Sequence, residues 1–468
     1  MKRLQKCLDH IAGHELPTDW YAARDRIERE RSFFLSLLAQ PSSRMYGANT
    51  RVGHRDTEVL PEAEIQKFNT DFLSSHTIGV EPWYSKYETA CINYAKAYSL
   101  AAGGTGISLK LYDIILRALN DVRFIPKIPK DSSYSCGDVI PGSHWAASVL
   151  KYAENNDEYY AGPGEVMALV NGSFIHVGYS IALVRKISCI WMLFLETTKL
   201  NNVLVGANKS NFYTPLVRHH SELLRQYLEK YIGSKYSDYE RQNPISIRST
   251  PQLLDSLTDS IYSFLLEIDG LLELPSSNPL YFSDFEFPLS QSSFLAPSLS
   301  IKSGALIESI LILMWASVSR TKYLLCGAVQ GIPSDGAHAH NALQFIQYPK
   351  LMQSILEKSR QLVSRRIFAS GSDTSQGIED LWTYGVNVCS QLDDLYQNCT
   401  HLLILELYIN VTCCDLFANK KYENNEINEY VLGNASLGDA IAKIRLAVEA
   451  GALSDAKALF AECIGLTA

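Results

Sequence analysis

Seven segments of this chain, 83–102, 175–200, 215–232, 250–274, 305–325, 351–368 and 389–416, carry apolar residues at i, i+3, i+4 and i+7. That spacing lines up one face of an α-helix and cannot line up one face of a strand. Alternating apolar-polar patterns are few and short, so the expectation is a mainly α protein. Helices of roughly 18 to 28 residues run about 27 to 42 Å at 1.5 Å per residue, which implies a bundle of long helices. The most apolar runs, 177–195, 305–318 and 402–414, are interrupted by Arg185 and Lys186, by Glu308 and by Glu406. None reads as the ~20 uninterrupted apolar residues a bilayer needs, and they are expected to be buried helices, with no membrane partner.

Polar segments rich in Gly, Ser and Asn separate these helices: 40–56, 129–145, 234–248, 275–300 and 369–380. Loops presented at the ends of a rigid scaffold are where chemistry is to be sought. The expected organisation is an N-terminal part, 1–205, rich in such loops, a central long-helix bundle, 206–420, and short C-terminal helices, 421–468. The chain has 42 basic and 50 acidic side chains, a formal net charge of −8, so nucleic acid is a poor candidate partner. Ten cysteines without a CxxC pair or framework spacing, and an N-terminus with no apolar signal-like stretch, point to reduced thiols and a cytoplasmic location.

One short segment, Ser132-Ser133-Tyr134-Ser135-Cys136-Gly137-Asp138, carries unusual chemical potential. If the backbone bends tightly, the Gly137 nitrogen can attack the Ser135 carbonyl, because glycine has no Cβ to block the approach. Loss of water closes the ring, and loss of the Cys136 sulfur as sulfide leaves an exocyclic methylidene on an imidazolone. Taken alone, the same residues also describe a plain turn around a small buried cysteine.

The neighbouring motifs bear on that choice. Ser135-Cys136-Gly137-Asp138, with Pro141 and His144 downstream, resembles the Ala-Ser-Gly-Asp segment of the histidine, phenylalanine and tyrosine ammonia-lyase and aminomutase family. Tyr46-Gly47-Ala48-Asn49-Thr50 resembles that family's Tyr-Gly-(Val/Ile)-Asn-Thr loop, and Leu73-Ser74-Ser75-His76 its selectivity segment. Asn171-Gly172-Ser173, Gln242 through Arg248, Asn278-Pro279-Leu280 and Ile378-Glu379-Asp380 follow in the family's order. The resemblance implies the family's mainly α long-helix fold and a homotetramer with sites built from several chains. It also implies a methylidene-imidazolone made autocatalytically from Ser135-Cys136-Gly137, with no metal and no dissociable cofactor.

What the chemistry requires is independent of the name. Expelling an amine while removing a weakly acidic β-proton needs more than a base, which supplies roughly 10²- to 10⁴-fold; enzymes commonly supply about 8 to 23 kcal/mol. An electrophile that activates the substrate fills the gap. By the resemblance, Tyr46 is the base on a closing loop and Arg248 grips the substrate carboxylate with its planar fork. Asn171 and Gln242 hydrogen-bond around electrophile and carboxylate, Glu379 handles the amine, and His76 meets a phenol or imidazole ring. The expected activity is that of an ammonia-lyase on an aromatic L-amino acid, histidine- or tyrosine-like. An aminomutase using the same electrophile, or a repurposed member in which Cys136 stays a thiol, are the alternatives.

The departures are specific. Cys136 replaces serine, Ser135 alanine, and the bulky Tyr134 a small residue; Ile245 stands where the family has a tyrosine and Asn243 where it has an aspartate. Arg51 and Val52 replace Gly-Phe, and Ser293-Phe294-Leu295 keeps only the phenylalanine of Asn-Phe-His. His10 with His14, and His338 with His340, lack a recognisable third metal ligand. Gly103-Gly104-Thr105-Gly106 lacks the Lys-Ser/Thr of a phosphate loop and reads as a turn between helices.

Overall fold

The computed structural model describes residues 1–133, 136–212, 219–230, 242–338, 341, 344–364, 373–418, 422–433 and 436–466. Among these residues the regular structure is helical, with isolated β-bridges only. The longest helices, Phe174–Leu204, Thr250–Leu271, Pro297–Leu324 and Gly385–Phe417, each overlap a segment whose periodicity predicts one. Asn425–Leu432, Leu437–Glu449 and Ser454–Ile464 are the short C-terminal helices. Three segments expected to be loop hold α-helix: 234–248 contains Ile245–Arg248, 275–300 the start of Pro297–Leu324, and 129–145 the start of Val139–Asp157. Its first turn, Val-Ile-Pro-Gly-Ser, reads as a turn in isolation, yet proline is tolerated where no intrahelical N–H partner exists.

Three apolar stretches, Glu165–Leu204, Pro297–Leu324 and Gly385–Phe417, are long and apolar enough by length and composition to cross a membrane. The interrupting charges Arg185 and Lys186, Glu308 and Glu406 lie within them. Within the protein 94%, 50% and 72% of their most apolar windows are buried.

The chain packs as two compact units, Met1–Ala182 with Leu265–Ile301 and Arg366–Ser390, and Leu183–Phe264 with Lys302–Arg365 and Gln391–Ala468. In the first, the helix Lys86–Ala101 is buried on nearly every face and starts at a Ser85/Glu88 capping box. Trp20 wedges its ring 5.3 Å from Tyr94 and 5.1 Å from Tyr98. Phe34, Leu37, Met45, Ala48 and Tyr281 form a core cluster that anchors the chain on both sides of Tyr46. Glu30 accepts the Gly104 N–H (2.6 Å) and Arg31 donates to the Gly106 carbonyl (2.8 Å), so the 103–106 turn is tied to the helix Arg24–Leu38.

In the second unit Trp191 packs on Phe460 (5.4 Å) and donates to Thr258 (2.9 Å). Arg320 and Glu406, both fully buried, form a two-bond pair (3.0 and 2.9 Å) that Ser317 completes. Removing either partner would strand a charge in the core.

Candidate active site

Tyr134 and Ser135 lie outside the described residues. Immediately after them the backbone is sharply bent: Gly137 has φ +75°, and Asp138, at φ 47° and ψ 40°, is also left-handed. Close helix packing sets this bend against the Asn171 turn. A Cβ at Gly142 would lie 2.3 Å from the Val170 carbonyl oxygen, so only glycine lets Val139–Asp157 approach the end of Glu165–Val170 this closely. Asn171 comes directly after that helix.

The consequence appears at Gly137, where a Cβ would stand 2.8 Å from Asn171 Oδ1. Asn171 is buried, its Nδ2 donates to the Asn278 carbonyl (3.2 Å), and its Oδ1 has no hydrogen-bond partner among the described residues. A buried amide oxygen left without a donor costs stability, and this one faces Gly137. Phe294 borders the same spot, 3.7 Å from that Cβ position.

Asp138 is buried and accepts from Ser133 Oγ and from the His176 backbone N–H (3.3 Å). Burial pushes its carboxyl up to about 6, against the opposing pull of those two donors. Cys136 is half-buried; burial first, and then the charges of Glu379, Asp138 and Asp380, push its thiol up to about 12. A thiol so placed stays protonated at neutral pH and is a poor nucleophile.

Tyr46 emerges half-buried between the anchored residues Met45 and Ala48. Its hydroxyl oxygen accepts the Gly53 N–H at 3.0 Å. Burial raises its pKa, the Gly53 N–H counteracts that, and the charges of Glu379, Asp56 and Cys136 add to the rise. Tyr46, Cys136 and Glu379 therefore share one electrostatic environment. The two loops also touch: a Cβ at Gly53 would meet Ser375 Oγ at 3.3 Å. Glu379 pairs backbone to backbone with Thr374 and accepts its hydroxyl.

The first unit thus gathers Tyr46, Cys136, Gly137, Asn171 and Glu379. His76 belongs to the same unit but ends the helix Ile65–His76, with Nδ1 engaged by Phe72 O (2.7 Å) and Ser75 Oγ (2.9 Å) and the ring stacked on Phe72. Gln242 and Arg248 belong to the second unit, where Arg248 donates to Gln242 Oε1 at 2.7 Å. Ile245, on the same short helix, is 68% exposed. Among the described residues no group of three or more His, Cys, Asp or Glu is placed to hold a metal.

Sequence reasoning overlooked Lys96, Ser99, Ser276 and His176. Ser276 Oγ accepts the Ser173 N–H (2.8 Å), and the Ser99 hydroxyl accepts the Ser276 N–H (3.0 Å). His176 is buried with Nε2 unpartnered among the described residues, and burial pushes its imidazole down to about 3. A lone lysine inside an otherwise buried helical stretch, Tyr-Ala-Lys-Ala-Tyr, was the available signal for Lys96.

The family model for aromatic amino acid lyases matches residues 7–433. The chain belongs to that family. Among individual lyases, the histidine ammonia-lyase of Deinococcus radiodurans is 22% identical over 426 residues, covering 82% of this chain and 79% of that protein. That of Aromatoleum aromaticum is 23% identical over 408 residues, covering 80% and 76%. Among solved structures, ergothionase from Treponema denticola in complex with desmethyl-ergothioneine sulfonic acid matches with a TM-score of 0.84 at 17% identity, covering 96% of this chain and 97% of that one. Phenylalanine aminomutase from Pantoea agglomerans matches with a TM-score of 0.81, also at 17% identity, covering 95% and 97%. At these identities the structural matches establish the lyase fold, and the motifs in the bent segment, the Tyr46 loop and the Asn171 turn sit on that fold as one group.

Proposed function

We propose that the protein is an ammonia-lyase acting on an aromatic L-amino acid, histidine- or tyrosine-like, with Tyr46 as base and an electrophile formed from Ser135-Cys136-Gly137. The observation that carries this reading is the buried Asn171 Oδ1, unpartnered among the described residues and facing a left-handed Gly137 whose missing Cβ leaves it room. These residues fit a methylidene-imidazolone: Gly137 permits the bend, Asn171 borders it, and Cys136 and Asp138 flank it on the chain. Forming it joins Gly137 N to the Ser135 carbonyl carbon, releases that oxygen as water, and eliminates the Cys136 sulfur with the Cα proton as hydrogen sulfide. Once formed, such a group supplies an electron-poor carbon that captures the amine or ring of the substrate.

The chain's own side chains do the rest. Tyr46, ionised, takes the β-proton at its phenolate oxygen and becomes a neutral phenol, and the Gly53 N–H steadies the negative charge it carries beforehand. Glu379 lies near enough to influence both Tyr46 and Cys136, which suits a carboxylate handling the departing amine. Arg248, with Gln242, holds the substrate carboxylate, and a ring role for His76 falls to Nε2, since Nδ1 caps its own helix. The reading carries with it a homotetramer with shared sites and a cytoplasmic location. The protonated state of Cys136 counts against a role as thiolate nucleophile.

The test is incubation of purified protein with L-histidine, L-tyrosine and L-phenylalanine while monitoring ammonia and the unsaturated acid. Release with L-histidine or L-tyrosine is the expected result. A β-amino acid without free ammonia would make the protein an aminomutase, and no conversion of any aromatic amino acid would overturn the assignment.

A further inference from the structure

Lys96 is fully buried in the middle of Lys86–Ala101. Its ammonium group donates to the backbone carbonyls of Ala168 (2.7 Å) and Asn171 (2.9 Å) and lies 4.5 Å over the Phe174 ring. Those carbonyls end the six-residue helix Glu165–Val170, where main-chain acceptors run out of intrahelical donors. One turn further along the same face, Ser99 accepts from and donates to Ser276, whose hydroxyl accepts the Ser173 N–H. Asn278, two residues on, receives Asn171 Nδ2 through its carbonyl. One helix face therefore braces both segments that hold the Asn171 side chain.

We infer that Lys96 is a positioning residue for the electrophile: by tying down the Ala168 and Asn171 carbonyls it fixes the Asn171 amide against Gly137, so that the bent triad is held in the geometry from which the ring closes. The inference rests on the proposed electrophile. Burial pushes the Lys96 amine down to about 7, and the two carbonyl acceptors compensate the polar group for the water it has lost.

The experiment uses the full chain as wild type, Lys96→Met and Lys96→Arg, with intact mass reporting the fraction that has lost one water and one hydrogen sulfide. Far-ultraviolet circular dichroism and thermal melting serve as the fold control. Wild type is expected to be modified, Lys96→Met to fold with its modified fraction reduced about tenfold or more because two buried carbonyls lose their donor, and Lys96→Arg to recover most of it. A folded Lys96→Met modified to the wild-type level overturns the inference while leaving the electrophile standing. If Lys96→Met does not fold, Lys96→Arg decides: a modified fraction near wild type supports the donor role, and a folded, unmodified Lys96→Arg overturns it. An unmodified wild type overturns both this inference and the electrophile.

Discussion

Replacing Gly137 with alanine adds one methyl group where the structure has no room for it. At φ +75° an L-residue other than glycine loses roughly 1 to 2 kcal/mol. The new Cβ would also stand 2.8 Å from Asn171 Oδ1, well inside contact distance, and relieving such overlap typically costs about 1 to 3 kcal/mol. The bent state is thereby disfavoured by about 2 to 5 kcal/mol, which at 1.36 kcal/mol per factor of ten slows ring closure roughly 30-fold to several-thousand-fold. The assay is a time course of intact mass and near-ultraviolet absorbance after synthesis of Gly137→Ala, with circular dichroism as control. The expected product is a folded chain that retains the Cys136 sulfur. A Gly137→Ala chain that loses water and hydrogen sulfide as fast as the wild type would refute the reasoning, because it would show that neither the left-handed backbone nor the approach of Asn171 governs the chemistry.

The same geometry sets further outcomes. Tyr46→Phe is expected to lower turnover at least about 100-fold, the lower range for a positioned base, while intact mass shows the modification unchanged; near-normal turnover would remove Tyr46 from its role. Because burial and nearby carboxylates hold the Tyr46 phenol above its ordinary value of 10 and the base acts ionised, kcat/KM should climb with pH through the alkaline range. Glu379→Gln deletes one of those negative charges, so in a pH–rate profile of the residual activity the ascending limb should move to lower pH, and an unmoved limb contradicts the placement. Asp138 titrates near 6 in the folded chain against 3.8 for the free group. The unfolded state therefore ionises first, and the penalty grows from about pH 4 to about pH 6 to roughly 3 kcal/mol. Relative to wild type, Asp138→Asn should gain stability across that window in denaturant titrations, and a pH-independent difference would contradict the assignment.

The long helices were legible because their apolar residues repeat with helical spacing over several turns, a signal that tertiary context reinforces. The start of Val139–Asp157 was not, since Pro141, Gly142 and Ser143 are turn residues locally; what makes them helical is the packing of Gly142 on Val170, a long-range fact. The three most apolar runs were legible as buried helices for a related reason: average hydropathy lets them pass for membrane spans, but Arg185 and Glu406 interrupt them and most of the first and third is covered within the protein. That Tyr46, Cys136, Gly137, Asn171 and Glu379 fall in one compact unit was legible only through the motifs that resemble the ammonia-lyase family, since periodicity alone leaves these segments as undifferentiated polar loops. For Lys96 the sequence carries a signal of unusual placement, a lone lysine within Tyr-Ala-Lys-Ala-Tyr, but not its partners, because the carbonyls of Ala168 and Asn171 are brought to it only by the fold. For His76 the motif suggests a substrate-ring partner but not which nitrogen is available, because the engagement of Nδ1 by Phe72 depends on where the helix ends.

The most direct measurement is mass spectrometry of the purified wild-type chain, intact and after digestion to a peptide spanning residues 135–137, beside Cys136→Ala. The account predicts a wild-type peptide lighter than its sequence by one water and one hydrogen sulfide, and a Cys136→Ala peptide with its sulfide-loss step absent. A wild-type peptide of full sequence mass, with the Cys136 sulfur still open to alkylation, would contradict it.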